Sequence, residues 1–170
     1  MQDIQVELLR DGAVFSRETE GSVGYDVCYC PTTEETKSFA HSSKVTGKEL
    51  KPCILLRHGV PRMVPLGAAL ILPDGVEAQI RPRSSTGLRL GLSIQFGTVD
   101  TDFRGELHAI VMPIKEDCVL DAGVRIAQVV FNQVLLPSHL PVSARVRGTS
   151  GFGSTGVKTP PTLFGGTRRV

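Results

Sequence analysis

Apolar residues recur at every second position in short runs, and turn-forming residues separate the runs. Ile4, Val6 and Leu8 alternate with polar neighbours and predict a first, half-buried strand, followed by a polar connection from Arg10 to Gly21. Ser22 to Tyr29 predicts a second strand, mostly apolar except for Asp26, whose carboxylate must stay solvated, find a partner or face a cation. Pro31 to Pro52 is rich in Thr, Ser, Glu and Lys, shows little periodicity and reads as a surface excursion. Val64 to Leu72 resumes strand character, and Pro73-Asp-Gly75 is a turn signature. Val76, Ala78 and Ile80 then alternate with Glu77, Gln79 and Arg81, which gives a strand with one buried face. Pairing should stop at Pro82, which has no N–H to donate. Leu90 to Ile94 and Leu107 to Met112 predict two further strands, and Arg125 to Phe131, continuing to Leu136, the last. Gln128 lies within that final apolar run and calls for a partner.

A chain of 170 residues fits one domain that can bury a core without disulfides. Eighteen Gly and 11 Pro interrupt it often, and with no Trp the core falls to aliphatic side chains. This favours an all-β sandwich or barrel. A formal charge of +2 gives no argument for nucleic-acid or membrane binding. The absence of a signal peptide or a membrane-length apolar run predicts a soluble, intracellular protein, cytoplasmic or nuclear. Cys28 and Cys30 lie two apart on a strand and face one side. No second such pair and no His-x-x-x-His completes a zinc site, so Cys28, Cys30, Cys53 and Cys118 are expected as reduced, partly buried thiols.

Three stretches carry candidate chemistry. Gly97-Thr-Val-Asp-Thr-Asp-Phe-Arg-Gly105 places two carboxylates, a ring and a guanidinium between glycines. Gly97 and Gly105 can adopt backbone angles that a Cβ forbids, which predicts a tight turn with Asp100 held at its edge; a plain polar hairpin tip is the alternative. Arg83 with the hydroxyls of Ser84, Ser85 and Thr86 suits phosphate oxygens, or forms an ordinary basic loop. Arg147 to Gly156 is either a flexible linker or a segment whose Arg and hydroxyls cradle phosphates while Phe152 stacks on a planar base.

Taken in order, Gly24-Tyr-Asp26, Pro82-Arg-Ser84, Gly97 to Gly105, Arg125-Ile-Ala-Gln128 and Arg147 to Gly156 resemble the five motifs of the homotrimeric dUTPases. The resemblance runs from about the first strand to Gly156. It departs from the family at Phe103, where Tyr is usual, at Val124, where an acidic residue is usual, in the 31–52 insert, and in a tail beyond Gly156. An insert and a tail on an otherwise complete motif set suit a viral copy. The resemblance implies a distorted jelly-roll-like β-barrel over residues 1–146 that forms a homotrimer, with sites built from more than one subunit. It also implies that 147–156 is an arm exchanged between subunits, closing over the site. Residues 157–170 are expected to be disordered.

The implied reaction is dUTP plus water to dUMP and pyrophosphate, which limits uracil incorporation into DNA and supplies dUMP for dTMP synthesis. In that resemblance Asp100 is the general base, Mg²⁺ rides on the triphosphate, and Asp26 touches the ion through a water. Arg83, Ser84, Ser85 and Gln128 match phosphate-holding positions, joined by Arg147, Gly153, Ser154 and Thr155 from the arm, with Phe152 on the base. Main-chain atoms of Phe96, Gly97 and His108 match those facing uracil, and Phe103 packs beneath the deoxyribose. A related dCTP deaminase would need a glutamate further along the strand after Glu106, and Leu107 to Met112 has none. A fold kept only for protein binding should have lost Asp100, Arg83 or Phe152, and all are present. The last four residues, Thr167-Arg-Arg-Val170, resemble the C-terminal signature read by PDZ domains and suggest an added scaffolding partner.

Overall fold

The computed structural model describes residues 3–46, 50–137 and 149. Arg147, Phe152, Gly153, Ser154 and Thr155 of the arm, and the tail with Thr167 to Val170, lie outside the described residues. Two antiparallel sheets enclose the core. One runs in the order β1 (Gln5–Leu8), β5 (Arg62–Ile71), β9 (Glu106–Pro113), β7 (Leu92–Gln95). The other runs β2 (Phe15–Ser16), β3 (Tyr25–Cys28), β11 (Arg125–Gln133), β6 (Val76–Pro82), β8 (Gly97–Val99). A separate ribbon pairs β4 (Cys53–Leu56) with β10 (Cys118–Asp121). Both sheets and the ribbon feed one core, in which Val27, Leu56, Leu66, Leu107, Ile126 and Val129 are almost fully excluded from water. Along β9 every second residue is buried, as period-2 patterning with one covered face requires. This is the all-β, jelly-roll-like architecture expected.

Several expectations need correction. β1 is exposed at all of its residues rather than half-buried, because it forms the edge of its sheet and pairs only with β5. The polar 31–52 stretch holds a 14-residue helix, α1 (Thr33–Thr46). Its start is fixed by a capping box: the Thr32 N–H donates to Glu35 Oε2 at 2.7 Å, and the Glu35 N–H donates to Thr32 Oγ1 at 3.2 Å. After Pro82 the chain does not loop but enters a short helix, α2 (Ser84–Leu90). The buried Thr86 hydroxyl anchors it by donating to the Ile126 carbonyl at 2.9 Å. The four thiols are free, as expected; Cys28 Sγ donates to the Gly12 carbonyl at 3.3 Å.

One ion-pair knot ties the first sheet to the end of β3. Arg10 grips Glu106 at the start of β9 through both guanidinium nitrogens, Nη1 to Oε2 at 3.0 Å and Nη2 to Oε1. Arg10 also donates to the carbonyls of Pro31 and Cys30, each at 2.9 Å. Glu106 Oε1 accepts the Gly67 N–H at 2.8 Å, at the point where the β5–β9 register shifts. Gly67 has φ +69°, and a Cβ there would meet Cys30 Sγ at 2.7 Å, so this bulge needs glycine. Burial would push the Glu106 carboxyl up, but hydrogen bonds from Arg10 and Gly67 and the charge of Arg10 outweigh it and hold it below its usual range.

Candidate active site

The second sheet carries a polar row on the face turned away from the core. Ser16 pairs with Asp26, Asp26 with Gln128, and Gln128 with Arg81, one residue from each of β2, β3, β11 and β6. Cross-strand partners share a face, so the four side chains stand on one surface. Their neighbours Val27, Ala127, Val129 and Ile80 point the other way, into the core. A cavity of about 480 Å³ opens here, lined by Glu18, Gly24, Asp26, Arg81 and Gln128 among others.

Asp26 is 6% exposed and faces two cations. Its Oδ1 accepts Arg83 Nε at 2.8 Å, and Oδ2 lies 3.4 Å from Arg125 Nη1. Arg125 Nη1 also contacts Glu18. Gln128 finds the partner its place in an apolar strand calls for: Nε2 donates to the Pro82 carbonyl at 2.9 Å, holding the strand end that delivers Arg83. Gly24 makes room for this amide: a Cβ there would lie 2.1 Å from Gln128 Oε1. Ser84 is exposed and Ser85 half-buried on the first turn of α2.

The third motif is not a hairpin. β8 pairs with β6 in the second sheet, whereas β9 pairs with β5 and β7 in the first, so Asp100 to Gly105 crosses between sheets. A turn closes where the Phe103 N–H donates to the Asp100 carbonyl at 3.1 Å, leaving Asp100 half-buried beside it. Neither Gly97 nor Gly105 has a positive φ, contrary to expectation. Gly105 is required for space instead, since its Cβ would sit 2.6 Å from Phe103 Cζ. The Thr149 carbonyl comes within 3.3 Å of that same point. Phe103 packs against the core, and Phe96 is 68% exposed. His108 is half-buried, and its Nδ1 donates to the Glu106 carbonyl at 3.0 Å.

Within the chain these residues fall into two groups. Asp26, Arg83, Ser84, Ser85 and Gln128 gather around the Pro82 end of β6. Asp100 follows Val99, which pairs with Ala78 near the opposite end. Ala78 and Arg83 are five residue steps apart, roughly 16 Å of strand. Val124, in place of an acidic residue, packs against the core while its backbone pairs with Tyr29. Sequence reasoning assigned no role to Arg125, although it opens the fourth motif, and none to Glu18, which sits in an unremarkable polar connection.

Solved dUTPases share this architecture. The enzyme from Streptococcus mutans superposes with a TM-score of 0.62 at 22% identity, covering 78% of this chain and 98% of that one. A variant of the Staphylococcus bacteriophage 80alpha dUTPase, bound to dUpNHpp, gives 0.60 at 20% identity over 92% and 100%. A variant of the phage phi11 dUTPase of S. aureus, reported for its coordination of a structural Mg(II) ion, gives 0.62 at 16% over 86% and 99%. Among relatives in sequence, the deoxyuridine 5'-triphosphate nucleotidohydrolases of Rickettsia canadensis and Rickettsia felis are each 40% identical, over 113 and 110 residues. Those alignments cover 63% and 61% of this chain, and 76% and 74% of the relatives. The dUTPase family model matches residues 48–156, starting just beyond α1. That match takes in four of the five motifs, and with the Rickettsia relatives it means that the chain belongs to the dUTPase family.

Proposed function

We propose that the protein hydrolyses dUTP to dUMP and pyrophosphate as a homotrimer, limiting uracil in DNA and supplying dUMP for dTMP synthesis. The observation that carries this reading is the family match across residues 48–156. Asp100 takes the proton of a water as that water attacks the α-phosphorus in line. The bond from phosphorus to the bridging oxygen breaks, and pyrophosphate leaves with the electron pair. A general base of this kind contributes about 10²- to 10⁴-fold. Arg83, Ser84, Ser85 and Gln128 hold the phosphates, with Arg147, Gly153, Ser154 and Thr155 closing from the arm. Backbone groups at Phe96, Gly97 and His108 select uracil by leaving polar groups unpaired against cytosine. Phe103 lies beneath the sugar and Phe152 on the base. The roughly 16 Å of strand from Ala78, the partner of Val99, to Arg83 supports a site that borrows one group from a second copy of the chain.

Among the described residues no group of three His, Cys, Asp or Glu could hold a metal ion. This suits Mg²⁺ that takes its oxygens from the triphosphate and water. Asp26 fits a role through a metal-bound water, since Oδ2 has the looser arginine contact at 3.4 Å. When bound, the ion neutralises charge developing on the leaving pyrophosphate. Pyrophosphate release from dUTP, dCTP, dTTP and UTP with Mg²⁺ tests the reading. dUTP should be turned over far faster than the other three. Ammonia release from dCTP would contradict it, as would equal rates on all four; the nearest carboxylate on β9, Glu106, is already consumed by Arg10 and Gly67.

A further inference from the structure

Glu18, Arg125, Asp26 and Arg83 form a line of alternating charge at the phosphate end of the proposed site. The spacing along it is uneven. Asp26 holds Arg83 at 2.8 Å but stands 3.4 Å from Arg125, whose same Nη1 contacts Glu18. Glu18 is placed to do this by its strand and its turn. Ser16 pairs with Asp26, and Glu18, in the bend that follows β2, lines the same cavity as Asp26. The turn is pinned by the Ser22 N–H donating to the Thr19 carbonyl at 3.1 Å and by a Thr19–Ser22 hydroxyl contact at 2.8 Å. Arg17 braces it, donating to the Glu20 carbonyl at 3.1 Å with its guanidinium 5.7 Å from the Tyr25 ring centroid.

We infer that Glu18 is a positioning residue for substrate phosphate. By drawing Arg125 off Asp26, it leaves the buried carboxylate to Arg83, and so fixes the guanidinium that meets the phosphates. This rests on the assignment of Arg83 as a phosphate ligand. It also predicts a sign that simple charge does not. A carboxylate beside a polyanion repels it, so removing one should tighten binding if charge alone mattered. Positioning demands the reverse.

The test is Glu18→Gln, a change at a side chain 55% exposed, with Glu18→Asp beside it. Steady-state kinetics on dUTP and calorimetric titration of dUpNHpp are measured for both and for the wild type. The Gln variant should raise KM and the dUpNHpp Kd about three- to fivefold, the upper range for a half-exposed ion pair. Its kcat and melting temperature should hold, and Glu18→Asp should recover part of the loss. Unchanged or lowered KM and Kd in Glu18→Gln would overturn the inference. If the wild type fails to hydrolyse dUTP, the reading of function itself fails and the inference goes with it.

Discussion

Two carboxylates in this molecule, Asp26 buried and Glu106 half-buried, are gripped by arginine, and they serve different ends. Glu106 is saturated: Arg10 covers both its oxygens, Gly67 adds a backbone donor, and the rest of the Arg10 fork goes to the Pro31 and Cys30 carbonyls. Both side chains of that pair are 18% exposed. Asp26 is more deeply buried, yet its partners Arg83 and Arg125 are 24% and 38% exposed, and Asp26 itself lines a cavity. The first arrangement fastens β9 to β5 and to the end of β3. The second keeps cationic groups where an anionic ligand can reach them. What separates a structural ion pair from a binding site here is how completely the arginine donors are used up, rather than how deeply the carboxylate lies.

Substituting one carboxylate at a time breaks the comparison most directly. Asp26→Asn should lower kcat/KM by about ten- to a hundredfold, the scale seen when a group orienting metal or ligand contacts is lost. Stability should change by under ~1 kcal/mol, because the two arginines can turn to water. Glu106→Gln should do the opposite, costing about 2–3 kcal/mol, somewhat below the cost of breaking a fully buried pair. Activity per folded molecule should be retained. Urea unfolding and dUTP kinetics on both variants separate the cases, and a shared profile would erase the distinction. The pH dependence agrees in sign. The folded-state pKa of Glu106 is held below its usual 4.5, so its stability contribution is full above that value and lost as the pH falls through the folded pKa. Glu106→Gln should therefore flatten acid unfolding below about pH 4.5.

A smaller effect is expected at Gly24. An added methyl would push the Gln128 amide from the Pro82 carbonyl, worth about 1 kcal/mol or roughly fivefold in KM. A Gly24→Ala variant with wild-type KM would mean that the Gln128 contact does not shape the site. The smallest effect lies in the core, at Tyr29. Among the described residues the buried Tyr29 hydroxyl has no hydrogen-bond partner, so Tyr29→Phe should stabilise by about 1 kcal/mol, a rise of roughly 2–4 °C in Tm. Burial, with Glu35 and Cys53 nearby, pushes the Tyr29 phenol up to about 12 from 10.0. Its stability contribution is therefore present below pH 10.0 and lost on the way to about 12. Urea midpoints at pH 8 and 11 should fall less for Tyr29→Phe than for wild type.

Local patterning made much of this legible in advance. The Pro73–Gly75 turn and the alternation along β6 are short-range signals and formed where their residues predicted, while β11 starts at Arg125 as predicted but ends at Gln133, short of Leu136. The α1 helix had a signal too, Thr32-Thr-Glu-Glu35, but its weak apolar periodicity concealed the cap. The start of α2 was hidden because the anchor that stabilises it, Thr86 on the Ile126 carbonyl, spans 40 residues. Arg10 and Glu106 are 96 residues apart, and Arg125 and Asp26 are 99 apart. No local pattern encodes such pairs. The motifs named the groups in the candidate site, but its division along β6 follows from strand register alone.

That division carries the central claim, that one site draws Asp100 and Arg83 from different copies of the chain. Asp100→Asn and Arg83→Ala should each be nearly inactive alone. Unfolded together in urea and refolded as a mixture, the two variants should form hybrid trimers with intact composite sites, and dUTP hydrolysis should return. If the mixture shows no more activity than the two variants refolded separately, Asp100 and Arg83 act within one chain and the account is wrong.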